Sequence, residues 1–293
     1  MALNGHLEIL KWARENGCEW NKLTCEYAAE GGHLETLKWA RENECEWDEL
    51  TCAAAASGGH FETLKWARAN GCDWNELTCG AADGGKLEIL KWLRKNGCDW
   101  DEHTCNAAAY SGHLDVLKWT RENNCAWSKL TCRAAARNNN LDVLKWLRDN
   151  NCDWDIDTCK EAAYNGHLET LKWAHENGCA WDKTTYSAAA AGGNLKVLKW
   201  LHKIGCLTND KFDFLDGDTC NNAAKNGNLK VLKWLHQNGC KFNEDICFQA
   251  ASYGHLIVLK WLVKNGCVLD KNRCIQIATE NNYNDLVKWL SEN

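Results

Sequence analysis

The sequence contains no proline, and it lacks several other features that would assign it to a familiar class of protein. Average usage gives proline at roughly 5% of positions, yet among 293 residues there are 18 Trp, 19 Cys and no Pro. No stretch approaches the ~18 consecutive apolar residues of a membrane span. The N-terminus has neither a basic nor an apolar region, so we expect no signal peptide and a cytoplasmic, intracellular location.

The charge balance also excludes some partners. The net charge is −6, divided into −9 for residues 1–190 and +3 for residues 191–293. An acidic balance opposes general attraction to nucleic acid or to anionic membranes. We therefore expect no nucleic-acid partner and no membrane partner.

One short unit accounts for nearly the whole sequence. Leu-Lys-Trp recurs at intervals of 26 or 27 residues, with one interval of 34, and Val-Lys-Trp closes the series after 28. Fixed spacing of this kind is typical of repeat architectures. We predict a single repeat domain over residues 1–293 with about ten and a half repeats. One cysteine series holds Cys18, Cys45, Cys72, Cys98, Cys125, Cys152, Cys179, Cys206, Cys240 and Cys267, and the other holds Cys25, Cys52, Cys79, Cys105, Cys132, Cys159, Cys220, Cys247 and Cys274, with Tyr186 in the remaining place.

Each repeat is predicted to form two short helices. A residue that caps helix N-termini precedes the first helix. Only Gly or Asn stands where that helix should end, and both tolerate the left-handed backbone found there. A second Gly or Asn column, which includes Gly205, follows the second helix, and Glu44 breaks it at an expected cost of roughly 1–2 kcal/mol. The capping column holds Asn21, Asp48, Asn75, Asp101, Ser128, Asp155, Asp182, Asn243 and Asp270.

The two helices of a repeat depend on their neighbours for stability. Isolated helices shorter than ~12 residues are marginal in water. In the second helix Leu34, Leu37 and Ala40 share one face, while Glu35 and Lys38 form an outer pair. Each helix pair must bury its Leu, Ala, Cys and Trp side chains against the next, so we expect the tryptophans in the core. The predicted fold is all-α, an α-solenoid of stacked helix-turn-helix repeats.

Three segments depart from the regular unit. Residues 1–18 supply only a second helix, residues 207–218 contain a loop insertion, and residues 270–293 form a divergent terminal repeat. No polar capping repeat precedes the first helix, and arrays normally need such caps. We therefore expect the chain to be a segment of a longer protein.

The unit resembles the ankyrin repeat. Ala-Ala-Tyr-Ser-Gly-His-Leu-Asp-Val-Leu-Lys-Trp at 108–119 matches the middle of that family's pattern, and Gly-Cys-Asp-Trp-Asn at 71–75 matches its end. Leu-Thr-Cys replaces the family's Thr-Pro-Leu-His, and the period is 27 rather than about 33. The missing residues fall where the family carries its β-hairpin finger. The resemblance implies a short, finger-poor ankyrin variant, similar to arrays in giant DNA viruses and protists, whose first helices line a concave, partner-binding face.

A leucine-rich repeat is the alternative fold, because its period is about 20–29 residues. Leu7–Trp12 imitates the leucine-rich pattern, but Asn16 lies one place late for it. The Ala-rich segment, with its own cap and its own end, also requires a second helix. These two observations favour ankyrin-like repeats.

The cysteines and histidines do not follow the spacing of a metal site. No Cys-x-x-Cys pair occurs, and Cys18 and Cys25 are seven residues apart, which suits zinc poorly. We expect a buried ladder of small thiols, no metal and no cofactor. A disulfide between the two series, such as Cys18–Cys25, stays open, although a reducing compartment is expected.

No group of potential catalytic residues occurs in the sequence apart from those that recur as part of the repeat. The His that follows the loop Gly, as at His33, becomes Lys86 or Asn140 in sister repeats, so we assign it a local hydrogen bond. Phosphate-binding loops and nucleophile motifs are absent from the sequence. We therefore expect no enzyme activity. The Trp ladder offers base stacking as an alternative, but strict repetition favours a core.

Variation between repeats indicates where a partner would bind. The two positions after the Ala pair, and the position four residues before them, vary most and share one helix face. We expect a non-catalytic protein–protein interaction scaffold, acting as a monomer on a protein partner. The alternative is a structural spacer or repeat array with no specific partner. The candidate contact residues are Asn106, Tyr110, Ser111, Arg133, Arg137, Asn138, Lys160, Tyr164, Asn165 and Tyr253.

Overall fold

The computed structural model of the chain describes residues 1–82, 84–208, 217–243 and 245–292. Over these ranges the regular structure consists of one 3-10 helix, Ala2–Asn4, and 21 α-helices, with no strand. The first helices of the repeats are α2 (Lys22–Glu30), α4 (Glu49–Ser57), α6 (Glu76–Ala82), α8 (Glu102–Ser111), α10 (Lys129–Arg137), α12 (Ile156–Tyr164), α14 (Lys183–Ala191), α16 (Gly217–Lys225), α18 (Ile246–Ser252) and α20 (Lys271–Glu280). The second helices are α1 (Leu7–Glu15), α3 (Leu34–Glu42), α5 (Phe61–Ala69), α7 (Leu87–Lys95), α9 (Leu114–Glu122), α11 (Leu141–Asp149), α13 (Leu168–Glu176), α15 (Leu195–Thr208), α17 (Leu229–Gln237), α19 (Leu256–Lys264) and α21 (Asn284–Glu292).

These helices confirm the predicted all-α solenoid of helix-turn-helix repeats. The chain divides into two compact units, the first holding residues 1–135 and 142–153, the second holding residues 136–141 and 154–293. In the first unit α4 packs between α2 and α6, and in the second unit α14 packs between α12 and α16. The first helices of successive repeats therefore stack on one another within each unit. A single domain over 1–293 stays a prediction.

The first helices begin where the capping column predicts. Asp48 Oδ1 accepts a hydrogen bond from the backbone N–H of Leu50 at 3.0 Å, and Asp182 Oδ1 accepts one from Thr184 at 2.7 Å. Such bonds satisfy N–H groups that the helix itself leaves unpaired. The prediction is wrong at Asn243, since α18 begins only at Ile246.

The helix ends follow the Gly and Asn columns with one exception. Glu44 has a φ of 65°, so the predicted left-handed conformation is confirmed at this non-glycine residue. Gly205 was expected to end its helix, but α15 passes through it and continues to Thr208. This repeat spans 34 residues instead of 27, so the chain has no need to turn at the usual place. Residues 209–216 of the predicted insertion lie outside the described residues.

The core consists of small and aliphatic side chains. Cys25, Ala28, Leu37 and Ala40 are all fully buried, and the same columns are buried along both units. The predicted burial of tryptophan is wrong: Trp12 is 64% exposed, and the other 17 are half-buried. The physical reason is space, because Ala and Cys let neighbouring helices approach too closely to admit an indole between them.

The tryptophans instead form an outer layer over the second helices. The rings of Trp20 and Trp39 meet edge to face with centroids 5.3 Å apart, and the Arg14 guanidinium lies 4.5 Å from the Trp20 ring. Such contacts contribute roughly 0.5–1.5 kcal/mol each beyond the area they bury. The same contacts recur in the next repeat, where Arg41 covers Trp47 and Trp47 meets the following indole. Throughout the described ranges, every helix is too short or too polar to pass through a lipid bilayer.

Candidate functional site

An open groove of about 590 Å³ lies on the first helices of the second unit. Its walls come from α12, α14, α16 and α18, so the face that varies in sequence is also where the surface is concave. Polar and charged side chains dominate the lining, which includes Lys160, Lys183, Ser187, Asn221, Asn222 and Lys225.

The groove carries an excess of positive charge. Among the described residues, the lining contains three lysines and one carboxylate, that of Asp218. Lys160 Nζ contacts Asp157 Oδ1 at 2.8 Å, and Lys225 Nζ lies 5.0 Å from the centre of the Tyr253 ring. These contacts hold two of the ammonium groups in defined positions. The groove can therefore accept carboxylates and hydrogen-bond with a peptide backbone.

Several predicted contact residues lie in the second unit. Lys160 lines the groove, and Tyr253 contacts a lysine that does so. Tyr164 ends α12 and is 48% exposed. Arg137 lies 3.9 Å from Glu161, so its charge is partly balanced. Asn165 is exposed, but its side chain donates a hydrogen bond to the Glu161 carbonyl at 2.9 Å and so helps to end α12.

The remaining predicted contact residues are not part of the groove lining. Tyr110 and Ser111 close α8 in the first unit, where Tyr110 is 43% exposed. Arg133 is half-buried on α10, and Asn138 follows that helix as an exposed residue. Because Tyr110 and Tyr164 belong to different units, a single contact surface that includes both residues stays a prediction.

Asn106 has a structural task that the sequence did not suggest. Its Oδ1 accepts a hydrogen bond from Thr131 Oγ1 at 2.7 Å, which joins successive first helices. Ser187 and Thr219 make the corresponding contact at 3.1 Å. Variation in this column therefore reflects stacking between repeats as well as surface chemistry.

Sequence reasoning missed part of the groove. Lys183 and Asn222 were not among the candidates, although both line it. A signal was present, because Lys183, Ser187 and Ala191 are spaced by four residues and so share one helix face. The chosen columns covered only the later part of that face.

The recurring His makes a hydrogen bond, as predicted, but the bond is not local. His33 Nε2 lies 3.0 Å from the carbonyl oxygen of Leu3, in the preceding repeat. Asn194, in the same column, donates to the Tyr164 carbonyl at 2.6 Å. At these two positions the column links a repeat to the one before it. In the described part of the chain, no group of three His, Cys, Asp or Glu side chains is arranged to hold a metal ion.

Comparisons with known proteins agree with this architecture. A family model described as "Ankyrin repeats (3 copies)" matches residues 220–293, and one described as "Ankyrin repeats (many copies)" matches residues 130–175 and 159–202. No curated protein matches the chain.

The solved structures that match the chain include two kinds of helical repeat protein. The human ASB11 ankyrin repeat domain is 18% identical, with 53% of this chain and 84% of that chain covered and a TM-score of 0.43. The pentatricopeptide repeat protein PPR10, solved with an 18-nt psaJ RNA element, is 16% identical, with 98% of this chain and 51% of that chain covered and a TM-score of 0.44. The chain thus spans about half the length of the PPR10 structure. From its repeats and the two family models, the chain belongs to the ankyrin repeat family.

Proposed function

We propose that the chain is a non-catalytic, monomeric scaffold that binds a protein partner through the face of its first helices, centred on the groove of the second unit. Ankyrin repeats are generally protein-interaction modules. The observation that carries the proposal is the groove, because it places three lysines and several amides on the face where the repeats differ most.

The lining suits a peptide better than a nucleic acid. Proteins that grip single strands stack bases on aromatic side chains, and among the described residues that line the groove none is aromatic. The chain as a whole is acidic, with a net charge of −6, which repels a polyanion at long range. A protein segment with a few carboxylates and free backbone groups matches the lysines and amides.

Charge reversal tests the proposal. The groove variant combines Lys160→Glu, Lys183→Glu and Lys225→Glu. A partner is first recovered by affinity capture with the unaltered chain and identified by mass spectrometry. Its Kd is then measured with purified proteins, and we expect the groove variant to bind at least about tenfold more weakly, because like charges facing each other across an interface are costly.

The matched control reverses the same number of charges elsewhere. Lys196, Lys199 and Lys230 are exposed on the second helices α15 and α17, away from the groove lining. We expect their change to Glu to leave the Kd within about threefold, as for charges at an interface rim. Equal affinity in the groove variant, or an equal loss in the control, would contradict the proposal. Recovery of no partner would favour the structural spacer.

A further inference from the structure

The buried cysteines come together in pairs, one pair to a repeat. The first member lies in the first helix, and the second lies in the turn that follows the second helix, 19 or 20 residues later. The pairs in the described residues are Cys25–Cys45, Cys52–Cys72, Cys79–Cys98, Cys105–Cys125, Cys132–Cys152, Cys159–Cys179, Cys220–Cys240 and Cys247–Cys267.

The two thiols of a pair occupy the same small space. Cys25 Sγ donates to the Cys45 carbonyl at 3.9 Å, while Cys45 Sγ donates to the carbonyl of the capping residue Asn21 at 3.3 Å. The next repeat has the same arrangement, with Cys52 Sγ 3.9 Å from the Cys72 carbonyl. The arrangement is therefore a property of the repeat and not of one position.

Two pairs show how close the sulfur atoms come. The Sγ atoms of Cys247 and Cys267 are 2.7 Å apart. Cys220 and Cys240 are joined as a disulfide, with their Cα atoms 6.9 Å apart. Bonded cysteines need Cα atoms within about 7 Å, and the backbone at Cys220 and Cys240 meets this requirement.

We propose that the within-repeat cysteine pairs are sites of oxidative modification, at which a peroxide joins the two thiols of each repeat into a disulfide. In the first step a thiolate attacks a peroxide oxygen, the O–O bond breaks and a sulfenic acid forms, and the departing hydroxide takes up the proton that the thiol had lost and leaves as water. In the second step the partner sulfur attacks the sulfenic sulfur, the S–O bond breaks, the S–S bond forms and a second water leaves. The two sulfur atoms lose two electrons in total, and the two peroxide oxygens gain them.

Cys25 and Cys45 are both fully buried, so peroxide reaches them through local opening of the repeat, and the electrostatic surroundings then decide which thiol attacks. The hydrogen bond from Cys25 lowers the pKa of the Cys45 thiol, and the nearby Arg41 guanidinium acts in the same direction. The same hydrogen bond, together with burial, raises the pKa of Cys25. One member is therefore the readier thiolate, and the other is held beside it as the resolving thiol.

Bonds between repeats are disfavoured by distance. Packed helices lie about 8–10 Å apart, which exceeds the ~7 Å limit for bonded Cα atoms. Each disulfide would tie the first helix of a repeat to the end of its own second helix. Oxidation would then resist unfolding within each repeat and leave the contacts between repeats unchanged.

One cysteine serves as an internal control. The position 20 residues before Cys206, where its partner would lie, holds Tyr186. Cys206 should therefore form no within-repeat disulfide when every pair is closed.

Peptide mapping of the whole chain tests the proposal. The reduced protein is treated with hydrogen peroxide, unfolded, alkylated without reductant and digested. We expect eight within-repeat disulfides, each with a mass loss of two hydrogen atoms, and no within-repeat disulfide at Cys206. The oxidised chain should also denature at a higher temperature, and dithiothreitol should reverse this shift.

Other outcomes overturn the proposal. These are disulfides between repeats, sulfinic or sulfonic acids at the paired positions, and a full set of alkylated thiols. The variant Cys52→Ser provides a second measurement with little change in volume. We expect Cys72 to be alkylated in this variant, and a disulfide from Cys72 to any other cysteine would show that the repeat geometry does not select the partner.

Discussion

Replacing two equivalent threonines by valine should have opposite effects on stability. Thr131 and Thr78 occupy the same place in the first turn of a first helix, and both are fully buried. Thr131 Oγ1 donates to Asn106 Oδ1 at 2.7 Å. Thr78 Oγ1 has no hydrogen-bond partner among the described residues, because the position that corresponds to Asn106 holds Ala53.

The expected magnitudes follow from this difference. Thr131→Val keeps the shape of the side chain but leaves Asn106 Oδ1 without its donor, which costs about 1–3 kcal/mol. Thr78→Val removes a buried hydroxyl that has already lost its water, so we expect a gain of up to about 1 kcal/mol. The double variant Asn106→Ala, Thr131→Val removes both partners and should lose less than Thr131→Val alone.

Urea denaturation followed by circular dichroism provides the assay. The midpoint and the slope are compared for each variant, since a changed slope would show that the array no longer unfolds as one unit. We expect Thr131→Val to lower the free energy of unfolding and Thr78→Val to raise it. If Thr78→Val destabilised as much as Thr131→Val, hydrogen bonding between repeats would not be the cause.

Two further predictions concern the backbone and the thiols. Glu44→Gly should stabilise the chain by about 1 kcal/mol, because Glu44 has a φ of 65°; Gly71→Ala, at a φ of 85°, should destabilise it in the same thermal assay. Burial raises the pKa of Cys274 to about 11. The protonated thiol therefore stabilises the fold fully below about pH 8.5, and this contribution is lost as the pH rises towards 11. We expect the melting temperature to fall over this pH range, and to fall less in Cys274→Ala.

Much of the fold could be predicted because it depends on local chemistry repeated in register. The capping residues, the left-handed Gly and Asn, and the apolar face of the second helix each act within a few residues of their own position. The sequence therefore predicted two helices per repeat and the strain at Glu44. It did not predict that α15 would pass through Gly205, because the length of the following segment decided that outcome.

Features that depend on packing between layers were harder to predict. Periodicity shows that the tryptophans share a face, but it does not show whether another layer covers that face. They are half-buried because Arg, His, Phe and other Trp side chains cover only part of each ring. The groove posed the same difficulty, since Lys183 and Asn222 come to line one groove only when successive first helices are stacked.

Lys160 connects the stability of the array with its proposed binding face. In its repeat Lys160 occupies the position that Asn106 occupies in an earlier repeat. The hydroxyl of Thr185, to which a residue at this position could hydrogen-bond, is buried without a hydrogen-bond partner among the described residues. The side chain lines the groove instead. A stacking hydrogen bond worth about 1 kcal/mol is therefore missing at the place where a lysine faces the groove.

This arrangement predicts that Lys160→Asn weakens partner binding and increases the stability of the fold. The new amide can accept a hydrogen bond from Thr185, as Asn106 does from Thr131, so the free energy of unfolding should rise by about 1 kcal/mol. The groove loses one of its three lysines, so the Kd for the partner should rise. Ala53→Asn is the matched control, because it should satisfy Thr78 in the first unit without changing the Kd. A variant Lys160→Asn that gained stability and kept full affinity would show that the lysine is not retained for binding.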